Sequence, residues 1–262
     1  MAETDGFPGQ RGSPKPYTLG PEEAPAGCLL VHGLTGSPAE MRPLAEHLAA
    51  QGYRCHVPLL PGHGTTVADL HRAHHEDWTA TATQALDQLR QSCGRLYAIG
   101  FSMGTLVAAY LAVHNPDLAA VALLSPAVQF RNPFVPLASV LYRVMPTIDK
   151  GAPTFGEDTA EYVWAYRRWS THGLGEMWRL RQALWPALDS VQVPALIVHS
   201  LDDPDLSTRT GQTMLAKWGA ADKELLTLHH SGHAVLLNEE REQVFSTVTC
   251  FFDAHGGGAA QQ

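Results

Sequence analysis

Short apolar strands separated by helices predict an α/β protein: a mostly parallel sheet with helices on both faces and one helical cap insertion. Three observations carry that expectation. From Gly27 onward, apolar runs of strand length alternate with helical stretches, the pattern of parallel strands joined by crossover helices. At Gly100-Phe-Ser-Met-Gly104 a strand gives way to a helix within five residues, a turn that needs small residues on either side of its apex. From Pro126 to Asp189 the alternation stops for 64 residues. That stretch reads as helical segments without convincing strands, and it holds Trp164, Trp169, Trp178 and Trp185.

Taken in order, residues 1–16 are rich in glycine, proline and charge and read as a disordered tail. The core spans 17–125 and 190–254. Gly27 to Val31 is its first strand. Ser37-Pro-Ala-Glu40 has the form of a capping box with proline at the first helical position, opening a helix to about Gln51. Tyr53 to Val57 is a strand, ended by the Pro58–Gly64 loop. Asp77 to Ser92 is a helix, followed by the strand from Arg95 and the helix from Thr105, which Pro116 stops. Ala119–Leu124, Ala195–His199 and Glu224–Leu228 are further strands. Helices near Thr208–Trp218 and Glu239–Asp253 complete the core, the cap insertion occupies 126–189, and 255–262 reads as a second disordered tail.

Composition narrows the function. A hydrophobic content of 45% over 262 residues supports a sizeable core. The net charge of −8 argues against nucleic acid or anionic membrane as a partner. No apolar run approaches the roughly 20 residues of a bilayer span, so no integral membrane segment is expected. The start Met-Ala-Glu-Thr-Asp-Gly lacks the apolar stretch of a secretory signal. Cys28, Cys55, Cys93 and Cys250 have no paired spacing, which suits reduced thiols in a cytoplasm. Neither a phosphate-cradling loop nor a dinucleotide fingerprint is present, and no cofactor is expected.

The chemistry centres on Ser102. At the apex of the Gly100–Gly104 turn its hydroxyl points away from the sheet, above a helix N-terminus. A serine hydroxyl is a weak nucleophile until an oriented base removes its proton. Of fourteen histidines, His233 is the best placed base, because it follows a strand and the Ser231-Gly232 turn can aim it over the sheet. His229 and His230 sit closer to the strand end. For the orienting acid, the loop after Ala195–His199 offers Asp202, Asp203 and Asp205. Adjacent residues of an extended segment face opposite ways, so one of Asp202 and Asp203 meets the imidazole, while Asp205 suits a helix cap. An oxyanion needs two backbone donors. Met103 N–H follows the nucleophile, and Leu34 N–H in His32-Gly33-Leu34-Thr35-Gly36 is the second candidate. His71, His74 and His75 have helix-like spacing but no carboxylate fixed beside them, and read as a solvated surface group with no metal. His63 reads as part of the site rim.

Pro14-Lys-Pro-Tyr17, Leu29-Leu-Val-His-Gly-Leu-Thr-Gly36, Pro61-Gly-His-Gly64, Gly100-Phe-Ser-Met-Gly104 and Ser231-Gly-His233 together resemble the α/β-hydrolase superfamily, in particular small bacterial carboxylesterases and monoacylglycerol lipases. The resemblance covers the chain apart from the insertion. It implies Ser102, Asp203 and His233 as a catalytic triad, in the chain order usual for such hydrolases. It also implies Leu34 and Met103 as oxyanion donors, and a variable cap that selects the acyl group. The acid loop departs from the family pattern at Ser200, where glycine is usual. The expected activity is hydrolysis of carboxylic esters of short to medium acyl chains, the partner being a small-molecule ester. Monoacylglycerol lipase or thioesterase activity, or a fold kept for ligand binding alone, are the alternatives.

Overall fold

In the computed structural model, which describes residues 5–150 and 157–256, the strands in chain order are β1 (Tyr17–Leu19), β2 (Ala26–Val31), β3 (Arg54–Val57), β4 (Arg95–Phe101), β5 (Ala120–Leu124), β6 (Thr147–Asp149), β7 (Arg168–Ser170), β8 (Ala195–Ser200) and β9 (Lys223–Leu228). Seven of them form one sheet in the order β1-β3-β2-β4-β5-β8-β9. All its neighbours pair in parallel except β1, which runs antiparallel to β3. The helices are α1 (Arg42–Ala50), α2 (Val67–Leu70), α3 (His75–Arg90), α4 (Gly104–His114), α5 (Ala138–Leu141), α6 (Thr171–Leu184), α7 (Thr210–Lys217) and α8 (Arg241–Ala254).

Side chains of a strand alternate between faces, and here both faces are covered. Leu29 and Val31 of β2 join a core with Leu86 of α3 and Leu106 of α4. Cys28 and Leu30 join another with Leu44 of α1 and Val248 of α8. That is why β2 is an unbroken apolar run rather than an alternating one. Leu30 is fully buried, and truncating such a leucine to alanine costs about 2–5 kcal/mol. Helix α4 is apolar nearly all round, because it is wedged between the sheet and α3 and α6. Among the described residues, no helix is long and apolar enough to cross a membrane.

Several expectations are corrected. Residues 5–16, read as a disordered tail, lie along the insertion: Arg11 and Gly12 N–H donate to the Ala160 and Val163 carbonyls at 2.8 and 2.9 Å. The side-chain oxygen of Gln10 takes the Ala165 N–H at 2.9 Å. Residues 1–4 and 257–262 of the two expected tails lie outside the described residues. His255, also assigned to a tail, instead ends α8 with Nε2 at 2.7 Å from Asp222. The insertion is not purely helical, since β6 and β7 pair antiparallel within it. At Ser37–Glu40 the chain forms a 3-10 turn before α1. Ser37 Oγ accepts from Ala39 N–H at 3.4 Å, whereas Glu40 turns away from the cap altogether.

Candidate active site

The Gly100–Gly104 turn is built by close backbone approach. A Cβ on Gly100 would strike the Gly104 carbonyl, and one on Gly104 would strike the Val31 carbonyl of the neighbouring strand. Between them Ser102 adopts φ +54°, a left-handed conformation that costs a non-glycine residue on the order of 1 kcal/mol or more. Its N–H is anchored on the Leu124 carbonyl at 2.8 Å. The strain is thus held by β5, and it lifts Oγ clear of the sheet.

His233 Nε2 stands 2.9 Å from Ser102 Oγ, and His233 Nδ1 stands 2.7 Å from Asp203 Oδ2. The histidine loop is fixed at both ends. Ser125 Oγ donates to the His233 carbonyl at 2.9 Å. Glu240 accepts from His230 N–H and Ser231 Oγ, each at 2.7 Å. Asp203 is fully buried, with its other oxygen taking the N–H groups of Asp205 and Leu206 at 2.8 and 2.9 Å. Burial raises its pKa, but the facing imidazole and these donors outweigh it and hold the carboxyl below its usual range. For His233 burial works to lower the pKa; the Asp203 carboxylate outweighs it, and the result lies above the ordinary imidazole value.

The alternatives fall elsewhere. Asp202 is exposed and 3.9 Å from His230, and His229 and His230 are exposed. Ser200, where glycine was expected, is buried at the end of β8, and the loop beyond it still delivers Asp203 to His233. His63 is not on a rim: it is buried, its ring edge-on to His32 at 4.9 Å and to Trp78 at 5.9 Å.

The loop after β2 supplies the facing wall. No described residue accepts a hydrogen bond from the N–H of Leu34 or of Met103. Leu60 N–H donates to His32 Nε2 at 3.2 Å, which leaves Nδ1 as the protonated nitrogen, donating to the Gly33 carbonyl at 3.0 Å. Burial depresses His32 to about 4, so it stays neutral.

Glu40 is the residue that sequence reasoning missed. Its carboxylate takes the Gly33 N–H at 2.6 Å, one residue before Leu34. Burial pushes its pKa up to about 7, against the pull of Gly33 N–H and Lys150. The Ser-x-x-Glu spacing marked it for a local cap, and only the fold reveals the tertiary partner. Lys150 and Tyr166 reach the same loop from the insertion. Lys150 Nζ contacts Thr35 Oγ1 and lies 4.2 Å from the Trp169 ring centre. Tyr166 N–H donates to the Thr35 carbonyl at 2.9 Å, and its hydroxyl donates to the Gly62 carbonyl at 2.8 Å while accepting from Thr65 N–H. Within the insertion, Trp164 stands edge-on to Tyr166, and Trp178 and Trp185 flank Arg181.

Known proteins share this architecture. The family model described as serine aminopeptidase, S33, matches residues 22–241. A thermostable monoacylglycerol lipase of Bacillus sp. (strain H-257) is 32% identical over 240 residues, which is 90% of this chain and 94% of that protein. A carboxylesterase of Bacillus subtilis (strain 168) is 25% identical over 247 residues, covering 92% and 97%. A solved structure from work on the metagenome-derived lipolytic enzymes LipS and LipT superposes with a TM-score of 0.85 at 26% identity, covering 94% of this chain and all of that one.

Proposed function

We propose, from the premise that the chain belongs to the serine aminopeptidase (S33) family of α/β-hydrolases and is a serine hydrolase, that it is a carboxylesterase acting on esters of short to medium acyl chains. The observation that carries this reading is the imidazole of His233 standing between Ser102 Oγ and Asp203 Oδ2. In the proposed cycle His233 Nε2 takes the Ser102 proton as Oγ attacks the ester carbonyl. The oxyanion that forms is met by Leu34 and Met103 N–H. Collapse releases the alcohol, which takes its proton back from His233, and leaves an acyl group on Ser102. Water then repeats the sequence and frees the acid. Asp203 holds Nδ1 protonated and stabilises the imidazolium, as in triads generally. The segment over the site acts in this reading as a cap on the acyl group. The acidic balance and free thiols suit a cytoplasmic location.

A second reading, monoacylglycerol cleavage by the same residues, is favoured by one feature of the insertion. Phe134, Leu137, Val140 and Val144, spaced three or four residues apart, are all exposed, a surface suited to an amphiphilic substrate. The test is Ser102→Ala with a panel of p-nitrophenyl esters of increasing chain length, monoacylglycerols, acyl thioesters and an aminoacyl anilide. The variant should fold normally and lose at least a thousandfold in kcat on the preferred ester. Near-parental turnover would overturn the esterase reading, and the panel's ranking decides between the two substrate classes.

A further inference from the structure

We propose that His74, His172 and Glu176 form a binding site for a divalent transition-metal ion, zinc being the best match, and that the ion joins the insertion to the core. None of these residues belongs to the surroundings of Ser102 described above.

His172 and Glu176 stand one turn apart on α6, so they share a face of that helix. His74 comes from the core, at the residue before α3. His74 Nδ1 and His172 Nε2 each lie 3.6 Å from the same oxygen, Glu176 Oε1. That separation is too long for a hydrogen bond. It is close to the edge of a zinc coordination tetrahedron, roughly 3.4 Å when the metal–ligand bonds are about 2.0–2.2 Å. One donor atom from each of the three side chains lies within 4.8 Å of the others.

A second observation points the same way. The His172 side chain is 8% exposed, and its buried Nδ1 has no hydrogen-bond partner among the described residues. An ion at Nε2 would engage the nitrogen that faces Glu176 Oε1 at 3.6 Å without bonding to it, in a ring that burial holds in place.

Glu176 is prepared for the role. Its side chain is 2% exposed. Oε2 accepts from His75 Nδ1 at 2.8 Å and from His75 N–H at 3.2 Å, which turns Oε1 towards the two imidazoles. This is the supporting shell that metal-binding carboxylates commonly have. Arg179 also contacts Oε1. Its side chain is 44% exposed, so it can yield its place to another cation. Two imidazole nitrogens and one carboxylate oxygen, with a fourth position open to water, favour zinc over magnesium or calcium, which prefer all-oxygen shells.

The experiment uses the full chain without a polyhistidine tag, stripped with EDTA and dialysed. Zinc chloride is titrated in competition with a chromophoric chelator, and cobalt(II) is added separately for its visible absorption. The expected result is one bound equivalent, a four-coordinate cobalt spectrum, and a melting temperature that rises with zinc, because an ion bound only by the native state stabilises it. His74→Ala, at a side chain 58% exposed and so safe for folding, should weaken zinc at least tenfold, as should Glu176→Gln. The double variant His229→Ala/His230→Ala, at exposed histidines elsewhere, should leave the affinity unchanged. Zinc bound equally by the parent and by His74→Ala would overturn the proposal. So would a parent that binds no equivalent.

Discussion

The surroundings of Ser102 and the insertion between β5 and β8 differ in how far side chains share in holding them. Around Ser102 the backbone does most of the holding. Ser102 N–H is tied to Leu124, the Asp203 carboxylate to two N–H groups, and the His229–Ser231 loop to Glu240. The insertion is fastened to the core by backbone bonds, such as Tyr166 N–H to Thr35 and Arg131 N–H to Asp205, and by side chains: Tyr166 to Gly62, Lys150 to Thr35, His75 to Glu176. It also leaves Phe134, Val140 and Val144 facing solvent. Backbone anchoring survives substitution of most side chains and fixes geometry closely. Side-chain anchoring can be released one residue at a time. The difference separates a region built for positioning from one whose surface and attachments can vary.

The sharpest way to break this comparison is at the acid. Asp203→Asn should lower kcat by roughly 10³–10⁴, because an amide neither holds Nδ1 protonated nor balances the imidazolium. Asp202→Asn, whose side chain is exposed, should change kcat less than twofold. Steady-state kinetics on one ester checks both, and equal losses would refute the assignment of Asp203.

Glu40 tests whether positioning extends one layer outward. Glu40→Ala strips the Gly33 N–H of its partner, and the loss should be about tenfold in kcat with KM little changed, from a penalty of about 1–2 kcal/mol. Glu40→Gln keeps an acceptor oxygen and should recover most of that loss. A uniform loss in both variants would mean that the charge, not the hydrogen bond, matters.

The pH profile sharpens the electrostatic side. His233 acts as base only when neutral, so kcat/KM is present above its pKa and falls about tenfold per pH unit below it. Its pKa is raised, so the acid limb should have its midpoint above 6.5. In Asp203→Asn the residual activity should show that midpoint at lower pH, because the carboxylate that raises it is gone. An unmoved midpoint would assign the limb to another group.

The smallest effect is expected at the insertion. Tyr166→Phe removes one hydroxyl bridging Gly62 and Thr65 and should destabilise the protein by about 1–2 kcal/mol, read by urea unfolding. Its kcat on a short ester should stay within about threefold of the parent. A loss as large as that of Glu40→Ala would erase the distinction between the two regions.

What the sequence makes legible follows the same division. The Ser102 turn is readable because its constraint is local: Gly100 and Gly104 are small for reasons within five residues of chain. His233 and the acid loop are readable because each follows an apolar strand that signals its own end. Glu40 misleads because a local spacing rule competes with a tertiary partner, and the partner wins. The pairing of His74 and His75 with Glu176 is invisible beforehand, since it joins residues about a hundred positions apart. Strands β1, β6 and β7 are three residues each, too short for any periodicity, and exist through their neighbours.

Before it enters the sheet at Tyr17, the chain runs along the insertion, bonded at Gln10, Arg11 and Gly12. The amino-terminal stretch is therefore tied to the insertion as well as to the core, where Asp5 accepts from Val67 N–H at 2.7 Å. A bulky fusion placed ahead of residue 5 would pull on the insertion, and trimming through Gly12 would slacken it while sparing every strand. The placement of the insertion, then, depends in part on residues that touch none of the reacting atoms.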